Sequence, residues 1–345
     1  MLRNGLHPGE LLWPLSMPPA LPRERKLIDI AHASAEKRQY FFNWLKSHEL
    51  QEATPCGMHV NLGINPKLIE NLTIAEINQL YIKLAQGFLH YRFVLTYFFG
   101  ASPLGEKNYF LDSQGPEKLV RSIRQSKYGF GTKYTGEFQD IEHYQERILS
   151  GIQRGELLAE HDFHSPVRLR RRGSIKELHI KGTEYLELRM LDLNPWSSVG
   201  ISSDELDLLL LMAAYFLVTP ASTYDLQKFN QLNEEVALET PTEQCQYQDM
   251  ILAFLSSLEQ FAAIIQVNQR GYDLLGRLIK IAHQPDLTIS DRLVREIQND
   301  SLTPFAIKQS ENFQTRSMLA HNLYKGFTEG RIPSAQELIH DISAL

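Results

Sequence analysis

The stretch TEYLELRMLDLNP at 183–195 constrains the fold more strongly than any other part of the chain. Its first half alternates apolar with polar side chains, placing Leu186, Leu188 and Met190 on one side and Tyr185, Glu187 and Arg189 on the other. Because successive side chains of a β-strand point to opposite faces, this alternation predicts one packed face and one polar face. The polar face either meets water or lines a cleft, and the alternation alone does not decide between them.

A second stretch, GMHVNLGI at 57–64, has the same design and predicts a second strand, with His59 and Asn61 on its polar face. If both strands belong to one sheet, these side chains share a cleft with Tyr185, Glu187 and Arg189. Histidine and glutamate bind divalent cations or transfer protons, and arginine binds phosphate or carboxylate in a bidentate manner. A solvated sheet face with a scattered ion pair is the simpler interpretation, and the spacing alone favours it.

Most of the remaining sequence has helical periodicity, so we expect an α+β fold with a mainly antiparallel sheet and a helical C-terminal third. Two further short strands are expected at 164–171 and 176–181, joined by a turn at RRRGS. The proline-rich segment 8–23 should be coil on a surface, and 101–134 should be a long loop region. Helices are expected at 24–52, 73–100, 137–158, 202–218, 222–238, 242–268, 269–283 and 288–299.

The length of 345 residues exceeds the size at which a single core grows comfortably. We therefore expect a sheet-containing region over 1–201 and a helical region over 202–345 that packs on it as one continuous structural unit.

Composition excludes several classes of protein. A net charge of −6 gives no basic excess of the kind that nucleic-acid-binding proteins have. The two cysteines, Cys56 and Cys245, form neither a disulfide framework nor a zinc pattern. The apolar run at 206–220 is interrupted by Asp207 and is shorter than the about 20 residues that span a bilayer. We expect a cytoplasmic protein that binds neither nucleic acid nor membrane.

The segment RSIRQSKYGFG at 121–131 is the strongest candidate for anion binding outside the two strands. Arg121 and Arg124 flank Ser122 among lysine and glycine residues, which suits anion binding through side chains and backbone N–H groups. The segment lacks the order of a P-loop, and an exposed basic loop explains it equally well. The sequence also lacks a nucleophile elbow, a zincin motif and a dinucleotide fingerprint.

Several stretches, read in order, resemble the glutamate–cysteine ligases of bacterial type, including the ligase half of the bifunctional glutathione-synthesising enzymes. The series covers most of the chain and is specific as a series, although each stretch alone is weak. The stretches are ELLWPLSMPP at 10–19, CGMHVNLGI at 56–64, YRFVLTYFFGASP at 91–103, RSIRQSKYGF at 121–130, HDFHSPVRL at 161–169, GTEYLELRMLDLNPWSSVGI at 182–201 and, more faintly, PDLTIS at 285–290.

The resemblance implies a fold similar to that of glutamine synthetase, in which a curved, mainly antiparallel sheet backed by helices holds the active site. It also implies ATP-dependent joining of the γ-carboxylate of L-glutamate to the amino group of L-cysteine, the first step of glutathione biosynthesis. ATP would phosphorylate the carboxylate, and the amine would attack the resulting acyl phosphate. Magnesium, with manganese as an alternative, would accompany ATP, and a glutathione synthetase domain or partner would use the product.

Site residues follow from the resemblance position by position. His59 and Asn61 fall in the family's G-x-H-Y-N-F stretch, and the resemblance implies that both contribute to nucleotide binding and that His59 also helps to bind metal. Arg124 and Ser122 match the S-x-R-x-S stretch, and the resemblance implies that both bind substrate, the arginine through a substrate carboxylate. Arg189 matches an arginine near the ATP phosphates.

The remaining positions complete the expected site. Asp162 falls where the family has a metal-binding glutamate, and Tyr40 matches a tyrosine that packs on the cysteine substrate. The neighbours Tyr185 and Glu187 would contribute to nucleotide binding. Arg124 and Arg189 are the residues expected to act in catalysis.

Departures from the family pattern affect the cysteine and metal sites. Asp162 is one methylene shorter than glutamate. His164 and Phe130 stand where tyrosines are usual, and Phe130 would still line the substrate site. Ala53 stands where a glutamine is expected. The family also begins with a G-[LI]-E-x-E strand that supplies metal ligands, and we expect this segment to be missing because the chain starts at MLRNGLHPGELLWP.

Four interpretations therefore remain open. The chain is an active ligase, a truncated or degenerate homologue that is catalytically impaired, or a related carboxylate–amine ligase with another amine substrate. Without any appeal to family, it is a helical interaction protein with a small solvated sheet.

Overall fold

A three-stranded antiparallel sheet lies at the centre of the computed structural model, which describes residues 6–323 except 8, 29–33, 47, 112–114, 130–133 and 221–222. The central strand pairs with both neighbours in the order β1-β3-β2. The strands predicted around 57–64, 164–171 and 183–191 are confirmed. Their bounds are β1 (Gly57–Leu62), β2 (Val167–Arg170) and β3 (Tyr185–Asp192).

Helices surround this sheet and make up most of the remaining regular structure. Capping boxes start two of them: Thr73 and Glu76 exchange hydrogen bonds before α3, as Ser202 and Glu205 do before α7. The helices are α1 (Ala35–Trp44), α2 (Pro66–Ile69), α3 (Ile74–His90), α4 (Arg92–Phe99), α5 (Ile141–Gln153), α6 (Leu178–Lys181), α7 (Ser203–Val218), α8 (Leu226–Ala237), α9 (Gln248–Ile265), α10 (Gln269–His283), α11 (Ile289–Val294) and α12 (Thr303–Leu323).

The strand predicted at 176–181 is wrong, because this segment is a 3₁₀ turn at Ile175–Glu177 followed by α6. The Ser174 side chain accepts a hydrogen bond from the backbone N–H of Lys176, which caps the start of the turn. Gly182 ends α6 with φ of +82°, a left-handed conformation that glycine adopts without steric cost. The start and stop signals of a helix therefore outweigh the short alternation in this segment.

The apolar face of the sheet packs against α3 and α4 and forms the centre of the core. Leu186 and Leu188 of β3 are fully buried, as is Phe88 of α3. The helices after residue 202 extend the same hydrophobic cluster, so sheet and helices share one core. This arrangement confirms the α+β fold with a small antiparallel sheet, whereas the division at residue 201 stays a prediction.

The N-terminal coil lies partly inside the structure. Its described residues contain no helix or strand before Arg25, as predicted, but residues 14–18 are buried instead of covering a surface. The Ser16 carbonyl accepts a hydrogen bond from the Cys56 N–H, and the Ser16 hydroxyl accepts one from the Leu193 N–H. The coil therefore ties the first strand to the end of the third.

One helix within the described residues, α9, is long and apolar enough to cross a membrane by these criteria alone. Such a single helix is weak evidence, because core helices of soluble proteins pass the same test.

Candidate active site

The polar faces of β1 and β3 meet, as the alternating patterns predicted. Asn61 lies opposite Glu187 in the antiparallel register, and side chains of directly opposed residues lie on the same face. The pairing shifts between Met58 and Val60, where His59 of β1 lies opposite a bulge of two residues in β3, Arg189 and Met190. His59 Nδ1 lies 3.3 Å from Glu187 Oε1 and 3.5 Å from Arg189 Nη1.

Glu187 lies at the centre of a cluster of basic side chains. Its carboxylate accepts a 2.8 Å hydrogen bond from Arg189 Nη1 and lies 3.6 Å from Arg168 Nη1 and 3.8 Å from Arg170 Nε. Burial alone raises the pKa of Glu187, but the His59 hydrogen bond and the positive charges of Arg168 and Arg189 overcome it and lower the pKa to about 2. Glu187 therefore stays ionised and orients Arg189.

The lowered pKa of Glu187 implies that the carboxyl group stabilises the fold in a pH-dependent manner. Its folded-state pKa of about 2 lies below the ordinary value of 4.5. The Glu187 carboxylate therefore stabilises the fold above about pH 4.5, and this contribution is lost as the pH falls through about 2. We expect Glu187→Gln to lower the free energy of unfolding at pH 7 by on the order of 3 kcal/mol and by much less at pH 2.5. Urea denaturation of both proteins at each pH measures the difference; an equal difference at both pH values would contradict this account.

A cleft of about 620 Å³ lies beside this cluster and contains four of the predicted site residues. Tyr40, His59, Arg124 and Arg189 line it, as do Ala53 and His164. Phe130 lies outside the described residues. The other predicted residues do not line it: Asn61, Ser122, Asp162, Tyr185 and Glu187.

Asp162 does not line the cleft itself but contacts Tyr40, which does. Its carboxylate is buried and accepts hydrogen bonds from the Tyr40 hydroxyl at 3.4 Å and the Leu158 N–H at 3.1 Å. Burial and the Asp162 charge raise the pKa of Tyr40 well above its ordinary value. Burial and the charge of Arg189 lower the pKa of His164 to about 4, so that this imidazole is neutral at pH 7.

Arg124 fills the space above Gly57. Its guanidinium donates hydrogen bonds to the carbonyl oxygens of Leu191 at 2.9 Å and Arg189 at 3.1 Å. A Cβ atom on residue 57 would lie 2.0 Å from Arg124 Cζ, so only glycine leaves room for this side chain.

We therefore expect Gly57→Ala to displace the Arg124 guanidinium and to lower the free energy of unfolding by about 1–3 kcal/mol, measured by urea denaturation. Gly63→Ala is the matched control, because its Cβ would meet only an ordinary 3.5 Å contact with the Glu184 carbonyl oxygen. Equal stabilities of the two variants would contradict the packing role of Gly57.

Asp192 joins three of the sequence stretches in one buried network. Its Oδ2 atom accepts hydrogen bonds from the Ala101 N–H at 2.8 Å and from the hydroxyls of Ser102 and Ser122 at 2.8 Å and 2.7 Å. Its Oδ1 atom lies 3.4 Å from Arg124 Nη1. The fully buried Ser122 thus anchors the loop that carries Arg124. Its predicted contact with substrate stays a prediction.

Comparison with known proteins places this site in a family. A family model described as glutamate-cysteine ligase matches residues 3–154 and 130–239, which together exceed half of the chain. The chain belongs to the glutamate–cysteine ligase family. It is 33% identical over 96% of its length to the glutathione biosynthesis bifunctional protein of Streptococcus thermophilus and 31% identical over 98% to that of Streptococcus agalactiae. The chain spans only 45% and 46% of the lengths of these relatives.

Two solved structures have a similar fold. A bifunctional glutathione synthetase from Pasteurella multocida matches with a TM-score of 0.82 and 26% identity, over 91% of this chain and 43% of that one. The glutamate–cysteine ligase of Francisella tularensis, solved in complex with AMP, matches with a TM-score of 0.77 and 17% identity over 91% of this chain and 74% of that one.

In this ligase-family chain, the described residues do not by themselves form a magnesium site. No three His, Cys, Asp or Glu side chains come together as metal ligands within the part of the chain that the structure describes. Glu187, the acidic neighbour of His59, is held by arginines, and Asp162 does not line the cleft. Mg²⁺ requires near-octahedral oxygen coordination. The roles of His59 and Asp162 as metal ligands therefore stay predictions.

The cleft also contains charged and polar residues that the sequence patterns did not single out. Arg92 and Glu234 line it from α4 and α8, together with Lys127 and Asn230. The sequence could have identified Arg92, because a single charge in the otherwise apolar run YRFVLTYFFG is unusual unless it has a partner or a function. The sequence could not have identified Glu234, because it lies on an amphipathic helix that carries other charges as well.

Proposed function

We propose that this chain carries out the ATP-dependent ligation of the γ-carboxylate of L-glutamate to the amino group of L-cysteine. The observation that carries the proposal is that His59 and Arg189, from two separate strands, line one cleft with Arg124 in a chain of the glutamate–cysteine ligase family. The relatives are named for glutathione biosynthesis, which begins with this reaction.

The proposed reaction needs activation, because a carboxylate would have to expel oxide as its leaving group. A γ-carboxylate oxygen attacks the terminal phosphorus of ATP, ADP leaves, and γ-glutamyl phosphate forms. The cysteine nitrogen then attacks the carbonyl carbon, phosphate leaves, and the amine loses a proton. Such phosphoryl transfer depends mainly on positioning and on positive charge around the phosphates.

The cleft supplies positive charge for ATP. Arg189, Arg124 and Lys127 all line it, with His59 beside Arg189. Glu187 holds the Arg189 guanidinium in place, and such fixed charges cost little reorganisation when the phosphoryl group moves. The related ligase of Francisella tularensis, whose fold is similar, was solved with AMP, which agrees with a nucleotide in this cleft. Magnesium, or manganese in its place, belongs to the proposal as the cation that accompanies ATP.

The proposal extends to the cellular context. We place the reaction in the cytoplasm. We also expect a glutathione synthetase domain or partner protein to take up the product, because a similar solved structure is described as a bifunctional glutathione synthetase.

Release of ADP that requires both amino acids tests the proposal. The chain is incubated with ATP, Mg²⁺, glutamate and cysteine, and each component is omitted in turn. We expect ADP and γ-glutamylcysteine to form in equal amounts only in the complete mixture. If ADP release is unchanged without cysteine, or if another amino acid such as serine replaces it at equal rate, the assignment of cysteine as acceptor is wrong.

A further inference from the structure

One side of the cleft contains two opposite charges with incomplete hydrogen bonding, a buried arginine and a half-buried glutamate. Arg92 begins α4, and Asn230 and Glu234 lie one turn apart on α8. All three residues line the cleft, where they face the polar side chains of the sheet.

Arg92 is 8% exposed, yet its hydrogen bonding is sparse. The hydrogen bond from its Nη2 atom to Asn230 Oδ1 is long, at 3.4 Å, and its buried Nε atom has no partner in the described chain. Burial lowers its pKa to about 10, so that the guanidinium remains charged at pH 7. A buried charge with so few hydrogen bonds destabilises the fold, and a ligand that accepts hydrogen bonds from the guanidinium would offset this cost.

Glu234 complements Arg92 in charge. One of its carboxylate oxygens, Oε2, accepts a 2.8 Å hydrogen bond from the Lys127 N–H, whereas the buried Oε1 atom has no partner among the described residues. Arg92 attracts this carboxylate electrostatically, but within the described residues no ion pair within 4 Å joins the two. A ligand that carries both charges would satisfy each of them.

We propose that Arg92 and Glu234 bind the α-carboxylate and the α-ammonium group of the amino acid that donates its carboxyl group, with Asn230 orienting Arg92. This inference rests on the proposed function and specifies which substrate lies on this side of the cleft. The reacting amine must lose its protons to attack, whereas the Glu234 carboxylate favours a protonated amine. The subsite therefore suits glutamate, whose α-amino group does not react, better than cysteine.

Equilibrium binding of L-glutamate to the chain, measured calorimetrically with Mg²⁺ and a non-hydrolysable ATP analogue, tests the subsite. We expect Arg92→Met and Glu234→Gln each to weaken glutamate binding by about 10- to 100-fold, the loss of charge-assisted hydrogen bonds. Neither variant should lower the melting temperature, because each replaces a poorly paired charge by an uncharged side chain of similar size and breaks no ion pair shorter than 4 Å among the described residues. Glu235→Gln, one residue further along α8 and outside the cleft lining, and Arg277→Met, on the surface, are the matched controls.

Two glutamate analogues separate the two charges. Glutarate lacks the amino group, so its affinity should not change in Glu234→Gln. The ligand 4-aminobutyrate lacks the α-carboxylate, so its affinity should not change in Arg92→Met. Matching losses for all three ligands in both variants would overturn the assignment.

Kinetics of the ligation distinguish failure of the subsite from failure of the proposed function. Unchanged glutamate affinity with a lower melting temperature would show that Arg92 and Glu234 have a structural role. A rise in KM for cysteine alone would show that they bind the acceptor amino acid. Either result overturns the inference but leaves the proposed function standing, provided that cysteine-dependent ADP release continues. Absence of glutamate binding and of ADP release in the unmodified chain would overturn the proposed function as well.

Discussion

We expect Arg189→Met to lower the rate of cysteine-dependent ADP release by about 10²- to 10³-fold, because the substitution removes one charge fixed beside the reacting groups. Arg189 lines the cleft, and its guanidinium is held by Glu187 at 2.8 Å. The free energy of unfolding should fall by only about 1 kcal/mol, because Glu187 keeps His59, Arg168 and Arg170 as partners. Steady-state kinetics and urea denaturation measure the two effects.

Arg170→Met is the matched control for this prediction. Arg170 lies 3.8 Å from the same carboxylate but does not line the cleft. Its loss should therefore leave turnover within about threefold of the unmodified chain. If both variants lose activity equally, the cluster acts through its total charge on the fold, and Arg189 has no special part in the chemistry.

The largest expected effect on stability belongs to Asp192→Ala. Asp192 is 1% exposed and accepts hydrogen bonds from Ala101, Ser102 and Ser122 while pairing with Arg124. The substitution removes the carboxylate that these donors share and the negative charge that pairs with Arg124. We expect the free energy of unfolding to fall by about 3–5 kcal/mol, as it does when one partner of a buried ion pair is removed.

Asp192→Asn refines this prediction. Asparagine keeps one carbonyl oxygen as acceptor but loses the charge. The free energy of unfolding of Asp192→Asn should therefore lie between that of the unmodified chain and that of Asp192→Ala. Ser122→Ala removes a single donor and should cost about 1 kcal/mol. Urea denaturation at pH 7 ranks the three variants, and a neutral Asp192→Ala would contradict the role of this network.

Periodicity in the sequence predicted the sheet and its shared polar face, but it did not predict the buried polar network behind the site. The alternation around Glu187 identified β3 because each of its side chains obeys one rule, the two-residue period of a strand. Asp192 was missed because it ends that strand as a buried polar residue, and its partners are 68 to 91 positions away in the sequence.

The short segment at 175–181 shows the limit of local patterns. Its apolar spacing fits a strand or a helix, and only the cap at Ser174 and the left-handed Gly182 decide for a helix. The charges at Arg92 and Glu234 were beyond local patterns for a different reason. They are 142 positions apart and meet only because α4 packs against α8. Pairings between distant segments depend on tertiary packing, which no window of sequence contains.

The transfer of an oxygen isotope tests the central claim most directly. The chain is incubated with ATP, Mg²⁺, cysteine and glutamate whose γ-carboxylate oxygens are ¹⁸O, and the released phosphate is analysed by mass spectrometry. If this cleft phosphorylates the γ-carboxylate before amide formation, one ¹⁸O atom appears in each phosphate released with γ-glutamylcysteine. Phosphate that carries only ¹⁶O, released at the same rate, would contradict the acyl-phosphate route and with it the function proposed for this site.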